Sequence, residues 1–319
     1  MKVYNVNYSL KSEYNSKYIV ISDFHGYFNI KLANYIEDID IPFIIITGDI
    51  LNGDSWNKYR HFKKFKKFVD IISVNHKVII SLGNHDLWGI TEEGFKNFRS
   101  LKSENVYPIY NETCIIDNDS FTSFVPDKDC YNYFEQDKKE TIDNILKTKF
   151  NVPSGNYIKH LVSHNPYHFY HNEVMDKVGK YFDVIEVGHL HNGYIPTMYL
   201  HKRYDKILDK GLHEAIKHLI LRTNCYKTHL KHKRILARGI AYMCDNCYYI
   251  YLPNDKVYCY NKQTNEYSIC NKEKLDNLKT PMVITGAINT CLRIPLFYPY
   301  VTTYELSNKY KVNIKIEKR

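Results

Sequence analysis

Ser81-Leu82-Gly83-Asn84-His85-Asp86 decides how the rest of the chain is read. It follows Val78-Ile79-Ile80, a short apolar run of the kind that forms a buried strand. At the end of that run the chain presents an amide, an imidazole and a carboxylate in succession, directly after a glycine. A strand tip is a rigid place from which to aim polar groups into a crevice. Read alone, the stretch fits a capped turn as well as a reactive site, so its meaning depends on the other strand ends.

Four other apolar runs also end in Asp or His. Tyr18-Ile19-Val20-Ile21 leads into Ser22-Asp23-Phe24-His25-Gly26, and 41–47 ends in Gly48-Asp49. Residues 158–162 lead into Ser163-His164-Asn165-Pro166, and 182–187 into Gly188-His189-Leu190-His191. Helical spacing falls between the runs. Leu32, Tyr35 and Ile36 share one face, and 59–74 turns Phe62, Phe65, Phe68, Val69 and Ile72 inward with Lys63, Lys64, Lys66 and Lys67 mostly opposite. Residues 91–103 read as a further helix and 106–109 as a short strand. Strands alternating with helices imply a layered α/β sheet with right-handed crossovers.

Residues 113–125 break that rhythm as a hairpin turning at 117–119, and 137–149 and 172–180 read as helices. After Pro196 the pattern loosens. Residues 205–221 look helical and 225–238 strongly basic. Residues 248–252, 256–260 and 267–270 suggest a β-meander, and 282–284, 300–306 and 312–316 closing strands. The expected organisation is a catalytic core over 1–196, a helical-plus-β insertion over 197–281 that could roof the site and choose the substrate, and closing strands of the core over 282–319.

The strand-end donors are Asp23, His25, Asp49, Asn84, His164, His189 and His191. Oxygen and neutral nitrogen donors suit Zn, Mn or Fe rather than a thiolate site. They exceed what one ion needs and fit two ions if one carboxylate bridges. In Asp23-x-His25 and His189-x-His191, extended backbone points residues i and i+2 to the same side. A lone Asp or His at a strand end is usually a cap or a solvated side chain. The ordered series of five pieces, each after its own apolar run, is not expected by chance.

Composition sets the frame. A chain of 319 residues holds one large domain or somewhat more, and 44% hydrophobic with 25% charged residues is ordinary for a globular protein. No apolar run approaches the roughly 18–20 residues that span a bilayer, and 1–17 carries no signal-peptide apolar region, so a cytoplasmic protein is expected. The eight scattered cysteines suit reduced thiols better than a disulfide framework. A net charge of +9 suits an anionic partner or simply a lysine-rich surface; much of it falls in 58–67 and 202–238.

Asp23-Phe24-His25, Gly48-Asp49, Gly83-Asn84-His85-Asp86, His164 and Gly188-His189-Leu190-His191 together resemble the calcineurin-like metallophosphoesterase superfamily. The resemblance covers about 17–194. It is closest to a bacterial phosphodiesterase branch, through Ser163-His164-Asn165-Pro166 and through 286–299 with Arg293. It implies a double β-sandwich flanked by helices in α/β/β/α layers. It puts Asp23, His25 and His191 on one ion and Asn84, His164 and His189 on the other, with Asp49 bridging. The two divalent ions would be drawn from Mn, Zn, Fe or Mg, and would activate a hydroxide that attacks a phosphoester. Asn84 and His85 would contact the phosphate, His85 would help the leaving group, and Asp86 would orient His85.

Cys244-x-x-Cys247, with His229-x-x-His232 upstream and Cys259 and Cys270 downstream, has zinc-like spacing but matches no definite module, so Cys244 and Cys247 are candidates for a structural zinc. Two rival functions stay open. One is a DNA nuclease of the recombination type on the same metal core, favoured mildly by the basic stretch 222–238. The other is a non-catalytic scaffold on this fold that binds a partner protein.

Overall fold

The computed structural model describes residues 5–8, 16–126, 139–169, 172–189 and the strands within 240–318. His191, the helix expected at 205–221, the basic stretch 222–238, His229, His232 and the segment 286–299 with Arg293 lie outside the described residues.

The first half runs β1 (Asn5–Tyr8), β2 (Ser16–Ile21), α1 (Ile30–Glu37), β3 (Phe43–Ile46), α2 (Gly53–Trp56), α3 (Tyr59–Ile72), β4 (Lys77–Ile80), α4 (Asn84–Leu87), α5 (Glu92–Arg99) and β5 (Val106–Pro108). Then come β6 (Thr113–Ile116), β7 (Asp119–Ser123), α6 (Lys139–Lys147), β8 (Ile158–Val162), α7 (Asn172–Val178) and β9 (Val184–Val187). The last strands are β10 (Ile240–Cys244), β11 (Cys247–Tyr251), β12 (Val257–Asn261), β13 (Glu266–Cys270), β14 (Met282–Ile284), β15 (Tyr300–Ser307) and β16 (Lys311–Lys318).

Two sheets form. The first has the order β1-β16-β15-β2-β3-β4-β5, and the second β13-β12-β11-β10-β14-β9-β8-β7-β6. Strands β2, β3, β4 and β5 are mutually parallel, as are β7, β8 and β9. Parallel strands covered on both faces read as continuous apolar runs, which is why Phe-Ile-Ile-Ile of β3 is buried throughout. Alternation sorts the faces. Ile19, Ile21, Ile44, Ile46, Val78 and Ile80 join Leu32, Ile36, Phe65 and Phe68 in a core between the first sheet and its helices. The opposite face meets the second sheet, where Tyr18 packs on His160 at 5.3 Å and Phe43 on Phe121 at 5.4 Å between ring centroids.

Helix α3 forms as its spacing predicts. Phe62, Phe65, Phe68, Val69 and Ile72 are buried, while Lys63, Lys64, Lys66 and Lys67 are exposed. Each buried aromatic contributes on the order of 2 kcal/mol of transfer free energy. Two readings change. Asn84-His85-Asp86-Leu87 is the one-turn helix α4 rather than a strand tip. The meander expected within the insertion gains a first strand, β10, and extends the second sheet through β14.

Candidate metal centre

The donors meet where the parallel strands end, at the carboxyl edge where open α/β sheets place ligands. Asp23 and His25 follow β2, Asp49 follows β3, and Asn84 opens α4 after β4. His164 and His189 follow β8 and β9 in the other sheet. The loops continue the strand ladder: Asp23 N–H bonds to Gly48 O at 3.0 Å and His25 N–H to Asp49 O at 2.9 Å. Gly188 N–H bonds to His164 O at 2.9 Å in the same way.

Local backbone is strained at these residues. Asp23, His25, Asp49 and His189 have φ of 59°, 47°, 52° and 68°. Left-handed backbone at a side chain with Cβ costs roughly 1–2 kcal/mol, and such residues cluster at functional sites. Close approach adds a second constraint. A Cβ on Gly83 would overlap Asp49 Oδ1, and one on Gly48 would overlap the Gly83 backbone. Glycine at both positions lets the two loops touch.

Side chains fill the space so created. Asp49 Oδ1 accepts from His85 N–H at 2.8 Å, while its Oδ2 lies 3.2 Å from His164 Nε2 and 3.7 Å from His25 Nε2. His164 Nδ1 lies 3.1 Å from Thr47 O; a carbonyl accepts, so that nitrogen carries hydrogen and Nε2 faces the carboxylates. His189 Nδ1 is 3.1 Å from Asn84 Oδ1 and 3.3 Å from His164 Nε2. Asp23 Oδ2 accepts from His189 N–H at 3.1 Å, joining the two sheets through the site.

Two groups of donor atoms result. Atoms of His25, Asp49 and His85 lie within 4.8 Å of one another, and so do atoms of Asp49, His164 and His189. The His85 ring, expected beside the ions rather than on them, lies 4.7 Å from that of His25 between centroids.

Asp86 has partners that its place in the sequence does not indicate. It accepts from Ile50 N–H at 3.0 Å, Leu51 N–H at 2.7 Å, Gly83 N–H at 2.9 Å and Trp56 Nε1–H at 2.8 Å. Its oxygens are thus turned to the backbone after β3 and to the indole of α2. Neighbours on a helical turn diverge by about 100°, so the adjacency of His85 and Asp86 in sequence does not bring them face to face. Trp56 and Thr47 carry no signal in the sequence that would have linked them to the site.

The electrostatics suit cations. Burial pulls the His164 imidazole down, but Asp49, then Asp23 and Asp86, overcome it and carry it up to about 9. Burial and the Asp49 charge push Asp86 up to about 7 against its N–H donors. Burial alone would raise Asp49, yet His164, His25 and His85 hold it well below the usual carboxylate range. A site that keeps a buried imidazole protonated is strongly negative in potential, and its buried carboxylates and imidazoles form a hard-to-borderline donor set. These residues fit divalent metal ions.

Cys244 and Cys247 are Cα partners at the end of the β10–β11 hairpin.

A buried cluster of carboxylates and imidazoles at the carboxyl edge of two facing sheets is a site suited to divalent metal ions. The chain belongs to the calcineurin-like phosphoesterase family, whose model matches residues 16–193. It is therefore a metal-dependent hydrolase of phosphoric esters. It is similar to the solved structure of the protein TT1561 from Thermus thermophilus, at 9% identity and a TM-score of 0.37, covering 81% of this chain and 100% of that one. It is also similar to a dimetal phosphatase from Danio rerio, at 11% identity and a TM-score of 0.37, covering 95% of this chain and 99% of that one. No curated protein matches the chain in sequence.

Proposed function

We propose that the chain is a phosphodiesterase working with two metal ions. The observation that carries this reading is that Asp49 Oδ2 lies 3.2 Å from His164 Nε2 and 3.7 Å from His25 Nε2, so one carboxylate reaches a donor assigned to each ion. Asp23, His25 and His191 are assigned to one ion, Asn84, His164 and His189 to the other, and Asp49 to both. The preference for diesters rests on the resemblance of Ser163-His164-Asn165-Pro166 to the bacterial branch.

When bound, such ions supply an acidified water and positive charge for the phosphoryl oxygens. The chain's own residues do the rest. His85 N–H fixes Asp49 Oδ1, which leaves Oδ2 free to face the ions. His85, as imidazolium, gives its proton to the leaving oxygen, while Asn84 and His85 orient the phosphate. Asp86 acts as a positioning residue: it holds the backbone after β3 against the start of α4, and so sets Asp49 relative to His85. The core is assigned to 1–196 and 282–319 with 197–281 inserted. A cytoplasmic setting is in keeping with the free thiol of Cys114.

The test measures turnover of bis-p-nitrophenyl phosphate and p-nitrophenyl phosphate with Mn, Zn, Mg and Fe, together with metal content. Two ions per chain and faster diester turnover are expected. Asp49→Ala should lose both ions with activity. His85→Ala should keep both ions and lose roughly 10²–10⁴ in kcat. A His85→Ala protein with one ion would make His85 a ligand, and full activity in either variant would sink the assignment.

A further inference from the structure

The chain has two tryptophans, and they are treated oppositely. Trp56 is fully buried and gives its indole N–H to Asp86. Trp88 is 41% exposed and stands beside His85, with 4.4 Å between ring centroids at an interplanar angle of 55°. Its ring meets no other aromatic ring among the described residues. The rings of His25, His85 and Trp88 thus form a row leading from the donor cluster to solvent.

Single exposed apolar side chains are common and need no explanation. Trp88 differs in how firmly its backbone is held. Trp88 N–H bonds to Asn84 O at 3.2 Å, which ties it to a donor residue. Asn57 Nδ2 donates to Gly89 O at 2.9 Å, and Asn57 Oδ1 accepts from Thr91 N–H at 3.0 Å and Thr91 Oγ1–H at 2.8 Å. Gly89 has φ +78°, a left-handed turn. A Cβ on Gly53 would overlap the Trp88 carbonyl, so α2 begins in direct contact with this segment. Trp88 is an exposed ring on a fixed support, which is how a binding surface is prepared in advance.

We propose that Trp88 is a stacking platform for the leaving side of the ester, and that the preferred substrate carries a planar aromatic group there. The inference rests on the role given to His85 above. A group whose oxygen takes the His85 proton leaves past His85, and Trp88 is the next ring on that path. Stacking on an aromatic face is tolerant of ring identity, so an aryl ring on the ester oxygen and a base on a leaving nucleoside satisfy the same chemistry.

The experiment compares kcat/KM for bis-p-nitrophenyl phosphate, the dinucleotide ApA and the aliphatic diester glycerol 3-phosphocholine in the metal-loaded full chain. In Trp88→Ala the ratio of aromatic to aliphatic kcat/KM should fall about tenfold, chiefly through KM, the scale on which base stacking acts. Trp88→Phe should restore most of that ratio. A fall for ApA alone makes the group a nucleobase, and one for the aryl ester alone makes it an aryl ring. Equal losses on all three esters would overturn the platform. A second arm keeps the inference separate from the hydrolase reading. In Mg2+, AMP should quench the exposed tryptophan emission far more than ribose 5-phosphate does, and Trp88→Phe should abolish the difference. If no ester turns over, the phosphodiesterase reading fails while this arm still decides: equal quenching by both ligands, or none, removes the platform.

Discussion

Asp86 gathers four N–H donors, from Ile50, Leu51, Gly83 and Trp56, into a fully buried carboxylate. Removing the acceptor leaves those donors in the interior, and each unsatisfied group costs roughly 1–3 kcal/mol. Asp86→Ala should therefore lose about 3–5 kcal/mol by urea unfolding, with Asp86→Asn in between because an amide oxygen serves fewer donors. If Asp86 worked mainly by orienting His85, stability would hold and only kcat would drop. The chemical identity of the donor residues was legible in the sequence, since Asp, His and Asn at strand ends form a recognisable series. The hydrogen bonds of Asp86 were not, because its partners Ile50 and Trp56 lie 36 and 30 residues away in the chain. Trp88 carried no sequence signal either; its exposure and its contact with His85 exist only once α4 has turned.

At the scale of elements, the ends of β3 and β4 are held closer than side chains permit. Gly83→Ala would drive a methyl into Asp49 Oδ1, although its φ of −107° suits any residue. The expected result is loss of metal with the secondary structure intact, read by metal analysis beside circular dichroism. Strands β7, β8 and β9 are joined by a second device. His160 Nδ1 lies 2.6 Å from Glu186 Oε1 and His160 Nε2 lies 2.8 Å from Asp119 Oδ1, all three buried between the sheets. Burial lowers the affinity of this imidazole for its proton, but the two carboxylates more than reverse that and carry it up to about 10. The folded chain keeps the proton to about pH 10, while the unfolded chain releases it near 6.5. The contribution of His160 is complete below about pH 6.5, shrinks as pH rises, and is gone above about 10, at up to about 1.4 kcal/mol per pH unit. Urea midpoints at pH 6, 8 and 10 should fall more steeply for the wild type than for His160→Gln; parallel lines would rule the effect out. The parallel strands were legible because apolar runs of three to seven residues lead into Gly, Asp or His. The triad was not, because polar residues alternating along a strand normally face water, and these face the other sheet. Strands β1 and β10 were also missed, since Asn-Val-Asn-Tyr and Ile-Ala-Tyr-Met-Cys owe their state to pairing with β16 and with β11 and β14 rather than to their own pattern.

For the whole molecule, the site lies across the seam between the sheets. Asp23, His25, Asp49 and Asn84 come from one sheet, His164 and His189 from the other. The seam has its own contacts, including Ser81 Oγ to Ser123 Oγ at 2.8 Å, Tyr18 on His160 and Phe43 on Phe121. The two-sheet plan followed from the family resemblance that the motifs carry, whereas the extension of the second sheet by β10 to β13 had no such guide, because edge pairing leaves no mark in composition. Ions held by donors from both sheets would bind the folded chain alone, since unfolding separates the donors. An ion present at about 100 times its Kd contributes about 2.7 kcal/mol, and two such ions about 5 kcal/mol. Chelation should therefore lower the melting temperature by about 5–10 °C, since a chain of this size shifts by roughly 1–2 °C per kcal/mol. Repletion should restore it in a concentration-dependent way. Asp49→Asn tests whether the effect belongs to this site: it removes the shared charge while keeping the shape, and its melting temperature should not respond to chelator. A variant that still responded in full would place the stabilising ions elsewhere in the chain, with the Cys244–Cys247 hairpin as the first place to look by counting zinc in a Cys244→Ser protein.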